Sequence, residues 1–367
     1  MSTETSNSTI KLMVLKGDGI GPEITAATLE VLSAVGTKLD LDIVFEAFPI
    51  GLEALEHQGT TVPDQIFEEV SGFDGVILGP VSNYDYPPKE AGGLNPSGEL
   101  RKRLDLYANI RPALTPPGFA PPYGKPVDLV VVRENTEGFY ADRSMFSGSG
   151  EFMPSPDMAL SVRKITRQAS TRIATTAFEV AMQRPRKKVT AVHKANVLRA
   201  GDGLFLDSVR AIAKAFPDVT YEEKIVDAMA ALLIRDPSQF DVVVTTNMFG
   251  DILSDQASEL AGSLGMAASL NSGPDVAVAQ AQHGSAPDIA GQGIANPSSL
   301  IGSAGMLLNW LANRRGDGRL RDAAALIETA ISSVIAVPAQ RTADLGGNIG
   351  TAAFTRHLVE AVRQHQD

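Results

Sequence analysis

Asp251 and Asp255 stand four residues apart in Asn247-Met-Phe-Gly-Asp-Ile-Leu-Ser-Asp255, a spacing that puts both carboxylates on one face of a helix. Two hard oxygen donors on one face suit Mg²⁺ or Mn²⁺, which take carboxylates and water in preference to sulfur. Plain solvated helix faces carry the same spacing, so the neighbouring chemistry has to decide. Asp227, in Lys224-Ile-Val-Asp-Ala-Met229, is an acid among apolar residues and needs a cation, a cap or a metal. Three arginines supply the opposite charge. Arg101 follows a Pro/Gly-rich stretch, Arg111 lies in Asn109-Ile-Arg-Pro112, and Arg133 abruptly ends the apolar run from Val127 to Val132. Guanidinium forks pair bidentately with carboxylates, so three converging would hold a di- or tricarboxylate, whereas apart they are three surface ion pairs. Tyr140, in Arg133-Glu-Asn-Thr-Glu-Gly-Phe-Tyr140, is a candidate general acid. Lys194, in Val192-His-Lys-Ala-Asn196, also follows a buried strand, where nearby cations or desolvation can lower a lysine pKa enough to make it a base. His193 reads as a packed or hydrogen-bonded histidine without a role.

Two glycine-rich segments invite a nucleotide. Gly17-Asp-Gly-Ile-Gly-Pro22 follows a strand but puts proline where a dinucleotide fingerprint needs its third glycine, so it reads as a structural turn. His283-Gly-Ser-Ala-Pro-Asp-Ile-Ala-Gly291, next to Gly293-Ile-Ala-Asn-Pro297, is dense in small residues. Close approach of backbone to a flat or phosphorylated ligand would use them, and a plain surface loop would look alike. Asp288 could accept hydrogen bonds from a ribose diol, the device by which an acid favours NAD over a 2′-phosphate.

These residues need elements to hold them. Strands are predicted at Ile10 to Leu15, Leu41 to Glu46, Gly75 to Leu78, Val127 to Val132, Lys188 to Val192 and Asp241 to Thr246. Helices are predicted at about Pro22 to Ala34, Ser161 to Met182, Ala200 to Phe216, Ser298 to Asn313 and Leu320 to Ile335. Alternating strands and helices indicate an α/β fold. Tyr84 to Ser97 is a Pro/Gly-rich loop expected to face a ligand, and Met145 to Met158, rich in Gly, Ser and Pro, looks like an arm leaving a regular region. A chain of 367 residues exceeds what one core usually supports, which predicts two domains. The net charge of −11 argues against a nucleic-acid partner held through phosphates, and the absence of cysteine excludes thiolate metal sites, disulfides and a cysteine nucleophile. No apolar run approaches a membrane span, and Met1 to Thr9 is polar, without a secretory core, so the chain is read as cytoplasmic.

Together the segments resemble the metal-dependent β-decarboxylating dehydrogenases, the family of isocitrate, isopropylmalate, homoisocitrate and tartrate/D-malate dehydrogenases. Gly17 to Pro22, Leu104-Asp-Leu-Tyr-Ala-Asn-Ile-Arg-Pro112, Lys194-Ala-Asn196, Asn247 to Asp255, His283 to Pro297 and Arg341-Thr-Ala-Asp344 occur in the family's order and spacing. The resemblance implies an isopropylmalate dehydrogenase-like two-domain α/β fold, non-Rossmann, with a cleft between the domains. Residues 1–106 and 262–367 would form the first domain. Residues 107–261 would form the second, with the dimer interface and an arm around 145–158. It further implies NAD and Mg²⁺ or Mn²⁺ as cofactors, and a homodimer with shared active sites acting on a small hydroxy di- or tricarboxylate. Arg101, Arg111 and Arg133 would clamp the substrate, Tyr140 would be the acid, and Lys194 the base, reaching across from the other subunit. Asp251 and Asp255 would bind metal together with the partner's Asp227. NAD would lie against His283, Gly284, Ser285, Ala286, Asp288, Ile289 and Asn296, the Asp288-Ile289 pair matching the NAD-using pattern.

Specificity in this family is read six and four residues before the first clamp arginine, here Asn95 and Ser97. Isopropylmalate enzymes usually place leucine at the second position, because an isopropyl group wants an apolar wall. Polar residues there imply a polar or small C3 substituent, as in isocitrate or D-malate and tartrate. A 3-isopropylmalate dehydrogenase and a non-catalytic regulatory subunit are the alternatives. One departure stands out: Gln280 occupies the place, three before His283, where the family typically has glutamate, which predicts an adjusted cofactor affinity.

Overall fold

The computed structural model describes residues 9–140 and 144–365; the reading of the first eight residues lies outside them. In chain order the elements are β1 (Ile10–Leu15), α1 (Gly21–Leu39), β2 (Ile43–Phe48), α2 (Leu52–Gln58), α3 (Gln65–Glu69), β3 (Gly75–Leu78), α4 (Pro96–Arg103), β4 (Ala108–Leu114) and β5 (Asp128–Glu134). A hairpin of β6 (Glu151–Ser155) and β7 (Met158–Ser161) follows, then α5 (Arg167–Met182), β8 (Lys188–His193), α6 (Arg199–Ala213), β9 (Thr220–Ile225) and α7 (Val226–Arg235). The rest comprises β10 (Val242–Thr245), α8 (Asn247–Ala261), β11 (Leu270–Ser272), β12 (Ala277–Gln280), α9 (Ser298–Arg315), α10 (Gly318–Ala336) and α11 (Thr351–Gln364). Among the described residues no helix is long and apolar enough to cross a membrane.

All the strands except the hairpin join one ten-stranded sheet, in the order β2-β1-β3-β12-β11-β4-β5-β10-β8-β9. The strands β2, β1, β3 and β12 are mutually parallel, as are β5, β10, β8 and β9. Between these halves, β11 and β4 pair antiparallel with each other and with their outer neighbours. Three successive reversals make the halves run in opposite senses. Each half is covered on both faces, which explains the continuous apolar runs. In β10, Val242 and Val244 pack with α5 and α6 residues such as Phe178 and Phe205, while Val243 packs with Leu253 of α8 and Leu233 of α7. In β1, Leu12 packs toward α1 and α9, and Met13 and Leu15 toward the opposite face with Ile66. The molecule is the two-domain α/β fold that the residue pattern implied.

One predicted element is corrected. Residues 161–166 are not helical: Ser161 ends β7, and α5 begins only after Thr166, whose hydroxyl oxygen accepts a hydrogen bond from the Ala169 N–H at 3.2 Å. Glu137 then takes the Thr166 hydroxyl and N–H, both at 2.8 Å, which fixes the helix start from outside.

The hairpin begins in the segment read as an arm, 145–158, and its second strand carries it on to Ser161. Every residue of both strands is exposed, Phe152, Met153, Met158 and Leu160 among them.

Candidate active site

Strand ends gather the charged residues. Arg133 terminates β5 opposite Thr245 of β10, and α8 starts two residues after Thr245. The i, i+4 acids Asp251 and Asp255 therefore sit on the first turns of a helix that lies across β4 and β5. Gly250 permits this, since a Cβ there would stand 2.7 Å from the Arg133 side chain. Arg133 is 2% exposed: its Nε and Nη2 donate to the Asn247 Oδ1 at 3.0 and 2.7 Å, and its Nη1 donates to Asp251. Arg111 comes from β4 onto the same face. Its Nη1 donates to the Ser254 hydroxyl at 2.8 Å and lies 3.3 Å from Asp251 and 3.2 Å from Asp255. Tyr140 donates its hydroxyl to the other oxygen of Asp251 at 3.3 Å.

The buried space acts on the ionisation of Arg111 and of Asp251. Burial, then the Arg133 charge, pushes the Arg111 guanidinium down to about 10, although Asp251 and Asp255 oppose this. Burial also works against an ionised Asp251, but attraction to Arg133 and Arg111 outweighs it and holds the carboxyl below its usual range. The site is thus a set of mutually neutralising ions with oxygen donors on one side and guanidinium donors on the other.

Beside it, a cavity of ≈ 140 Å³ is lined by Ser97, Arg101, Arg111, Ser269, Gln280 and Gln282, among others. Asn95 caps α4, its side-chain oxygen accepting from the Gly98 N–H at 2.9 Å, and this turns Ser97 inward. Gln282, which carried no sequence signal, donates to Asp255 at 2.7 Å and so ties the far wall to the acidic helix.

The cofactor-type loop packs against the first glycine turn. Gly19 has φ +58°, and a Cβ there would lie 2.1 Å from the Ser285 carbonyl oxygen, so only glycine permits the contact. The Ile20 N–H donates to that carbonyl at 2.9 Å, and the Ser285 hydroxyl meets Ser82 at 2.8 Å. Asp18, unremarked in the sequence, accepts from the Leu52 and Ser82 N–H groups and from the Tyr86 hydroxyl. His283 has a buried Nε2 with no partner among the described residues, and burial depresses its pKa. Ala286 sits at φ +39°, Gly284 and Asp288 are exposed, and Ile289 is half-buried beside it. Asn296 is committed elsewhere: its amide donates to Asp344 and its oxygen accepts from Ser298.

Lys194 and Asp227 stand apart from this cluster. They pair with each other at 2.5 Å, Asp227 being 67% exposed, and the Lys194 hydrogen bond holds the Asp227 carboxyl low. The buried Asp202, which the sequence did not flag, accepts from the Lys194 N–H and pairs with Arg163, fixing the backbone under the lysine. Among the described residues no three acidic or imidazole groups converge. The residues nonetheless fit a divalent cation in part, because the Arg111 nitrogen already occupies a cationic position flanked by oxygens of Asp251 and Asp255.

Residues 11–362 match the family model of isocitrate/isopropylmalate dehydrogenase. The chain belongs to this family. The isocitrate/homoisocitrate dehydrogenase of Thermus thermophilus is 42% identical over 355 residues, covering 96% of this chain and 98% of the relative. The 3-isopropylmalate dehydrogenase of Archaeoglobus fulgidus is 40% identical, covering 95% of this chain and 98% of the relative. In three dimensions, the isocitrate dehydrogenase of Methylococcus capsulatus superposes with a TM-score of 0.86 at 40% identity, covering 97% of this chain and all of that one. The isocitrate/isopropylmalate dehydrogenase match therefore spans both halves of the sheet and both walls of the charged cluster. Relatives named for different substrates match almost equally well, so specificity has to be argued from the cavity.

Proposed function

We propose that this chain is an NAD- and Mg²⁺- or Mn²⁺-dependent enzyme that oxidatively decarboxylates a (2R)-malate-type 2-hydroxy acid with a polar or small C3 substituent. The observation that carries this is the stacking of Arg111 and Arg133 over Asp251, with Tyr140 on the same carboxylate, next to a cavity lined by Ser97 and Gln280. The working unit is a homodimer of two-domain subunits, divided as 1–106 with 262–367 and 107–261. Core membership changes between Leu106 and Ala108 and again between Ala261 and Met266, in support of those limits. The exposed hairpin would clasp the second copy.

In the reaction, Arg111 and Arg133 turn from the acids to the substrate carboxylates and, with Arg101, orient C2 and C3. Asp251 and Asp255, with Asp227 of a second copy, would hold the cation, and His283, Gly284, Ser285, Ala286, Asp288, Ile289 and Asn296 would hold NAD. Bound there, the cation supplies a Lewis acid that eases loss of the C2 hydroxyl proton and offsets developing negative charge, while NAD accepts the hydride. Lys194 of a second copy takes the hydroxyl proton. Once the C2 ketone makes the substrate a β-keto acid, CO₂ leaves C3 and Tyr140 protonates that carbon. The polar cavity wall argues against an isopropyl group, and the intact set of Lys194, Tyr140, Asp227, Asp251 and Asp255 argues against a regulatory subunit.

The test is NADH formation with D-malate, tartrate, isocitrate, homoisocitrate and 3-isopropylmalate, each with Mg²⁺ or Mn²⁺, then with NADP replacing NAD. Activity with NAD on an acid whose C3 group is polar or small is expected. Preference for 3-isopropylmalate, or silence on every acid from a folded dimer, would overturn the proposal.

A further inference from the structure

Each subunit carries two parts of the proposed chemistry, and one buried ion pair touches both. Tyr140, Asp251 and Asp255 form the first part; Lys194 and Asp227, which follow β8 and β9, form the second. Arg163, in the residues that join β7 to α5, turns its fork both ways. Its Nη1 donates to the Asp202 Oδ1 at 2.5 Å, and the other oxygen of that carboxylate accepts the Lys194 N–H. Its Nη2 donates to the Thr246 hydroxyl at 3.0 Å. Thr246 is the residue before α8, where a threonine hydroxyl commonly caps the helix. Here the side chain makes no cap hydrogen bond and takes the guanidinium instead. The same guanidinium lies 5.9 Å from the ring of Phe139, the neighbour of Tyr140, and 5.5 Å from that of Phe249 on α8. Lys164, next in sequence, exchanges both backbone hydrogen bonds with Gly138, at 2.8 and 3.0 Å. Asp202 is wholly buried and Arg163 is 10% exposed.

We infer that Arg163 is a positioning residue that sets the Lys194 backbone and the start of α8 against each other, so that the two parts of one subunit move together. The inference rests on the proposed function and deepens it. In a homodimer with shared sites, Lys194 serves the second copy while Tyr140 and α8 serve their own subunit. Arg163 therefore links the two active sites of the dimer through the interior of each chain. The physical reason lies in burial. Neither Asp202 nor Arg163 can exchange its partner for water without leaving a buried charge unpaired, so the two stay together through small shifts. A displacement at Lys194 is passed to Thr246, and one at α8 is passed back, because a close-packed interior transmits strain. The link needs arginine in particular. A guanidinium holds two acceptors in a fixed fork, whereas a lysine ammonium is a point charge that keeps Asp202 neutralised but gives up the bond to Thr246.

The experiment uses mixed dimers with one live site, in which one subunit carries Lys194→Ala and the other Asp251→Asn. The live site then takes its acids from the first subunit and its lysine from the second. Asp202→Asn is added to the first subunit, where no lysine is left for it to position. Thr246→Val is added to the second, where the acids of α8 are already disabled. Each should lower kcat by roughly 10-fold, less than the about 10²-fold that a 1 Å misplacement costs, and leave the KM for NAD unchanged. Arg163→Lys in the second subunit should match Thr246→Val, and the two together should cost little more, because both remove one bond. Unchanged kcat in both mixed dimers, or full additivity of the last pair, would overturn the inference and leave the proposed activity intact. If mixing restores no activity, the shared-site reading fails, and hydrogen exchange of the homodimeric or monomeric protein decides the link alone. Thr246→Val should speed exchange in 190–198 and Asp202→Asn in 246–251, segments that neither substitution touches through its own side chain except across Arg163 or at Lys194. Exchange that rises only in the substituted element refutes the link.

Discussion

Two sets of opposite charges sit at strand ends in this molecule and are held in contrasting ways. Arg111 and Arg133 are almost fully buried against Asp251, with four hydrogen-bonding partners, Asn247, Asp251, Ser254 and Asp255, around them. Lys194 and Asp227 make one contact, and the acid stays largely in water. A buried charge stripped of its partner costs about 3–5 kcal/mol, whereas an exposed pair, screened by water, contributes little. The first set is thus built into the fold of a single chain. The second can change partners at little cost, as the proposed role of Lys194 and Asp227 in a neighbouring subunit requires.

That contrast can be broken at several points. The largest expected effect is on turnover: Lys194→Ala should reduce kcat by about 10²- to 10⁴-fold, the usual range for a general base. Its urea unfolding midpoint should hardly move. Mixing this variant with Asp251→Asn should restore activity in mixed dimers, and failure to do so would place both residues in one subunit's site. Arg133→Met should show the opposite profile, with stability falling by about 3 kcal/mol. The lower end of the buried-pair range applies because Asp251 is 37% exposed. If the two variants unfold alike, the division between fixed and exchangeable charge is wrong.

Metal linkage comes next. Mn²⁺ at about 100 times its Kd should stabilise the protein by about 2.7 kcal/mol, and Asp251→Asn should abolish the rise in Tm. Replacing Phe152, Met153 and Leu160 of the hairpin by serine should leave the monomer fold intact and shift the species seen by light scattering toward monomer. The smallest effect is on acid stability. The folded Asp251 carboxyl titrates below its ordinary 3.8, so its contribution is complete above that value and is lost as the pH falls through the folded one. Arg133→Met removes the strongest attraction holding it down, and the acid midpoint followed by circular dichroism should rise.

Legibility in the sequence followed how local each feature is. The valine run before α8 and the acid spacing on it need only backbone periodicity, and both elements lie where that predicts. Strand β4 was unreadable because Pro112 interrupts it, yet it is an interior strand and pairs there with Val130. Strand β9 was hidden by its charges, Tyr-Glu-Glu-Lys, which an edge strand tolerates and even needs. The stretch 161–166 shared the periodicity of α5, and only the long-range grip of Glu137 on Thr166 ends the helix. At the site, residue types pointed to the acids, the arginines and Tyr140. Gln282, Asp18 and Asp202 carried no such mark, since each acts through a partner remote in sequence.

The order of motifs, the absence of thiolates and the i, i+4 acids were determined by the sequence alone, because residue identity and helical geometry suffice for them. Which guanidinium meets which carboxylate was decided by the tertiary structure, as was the meeting of Gln280 with Ser97. Gln280 reaches Ser97 across 183 residues. No local pattern encodes that contact.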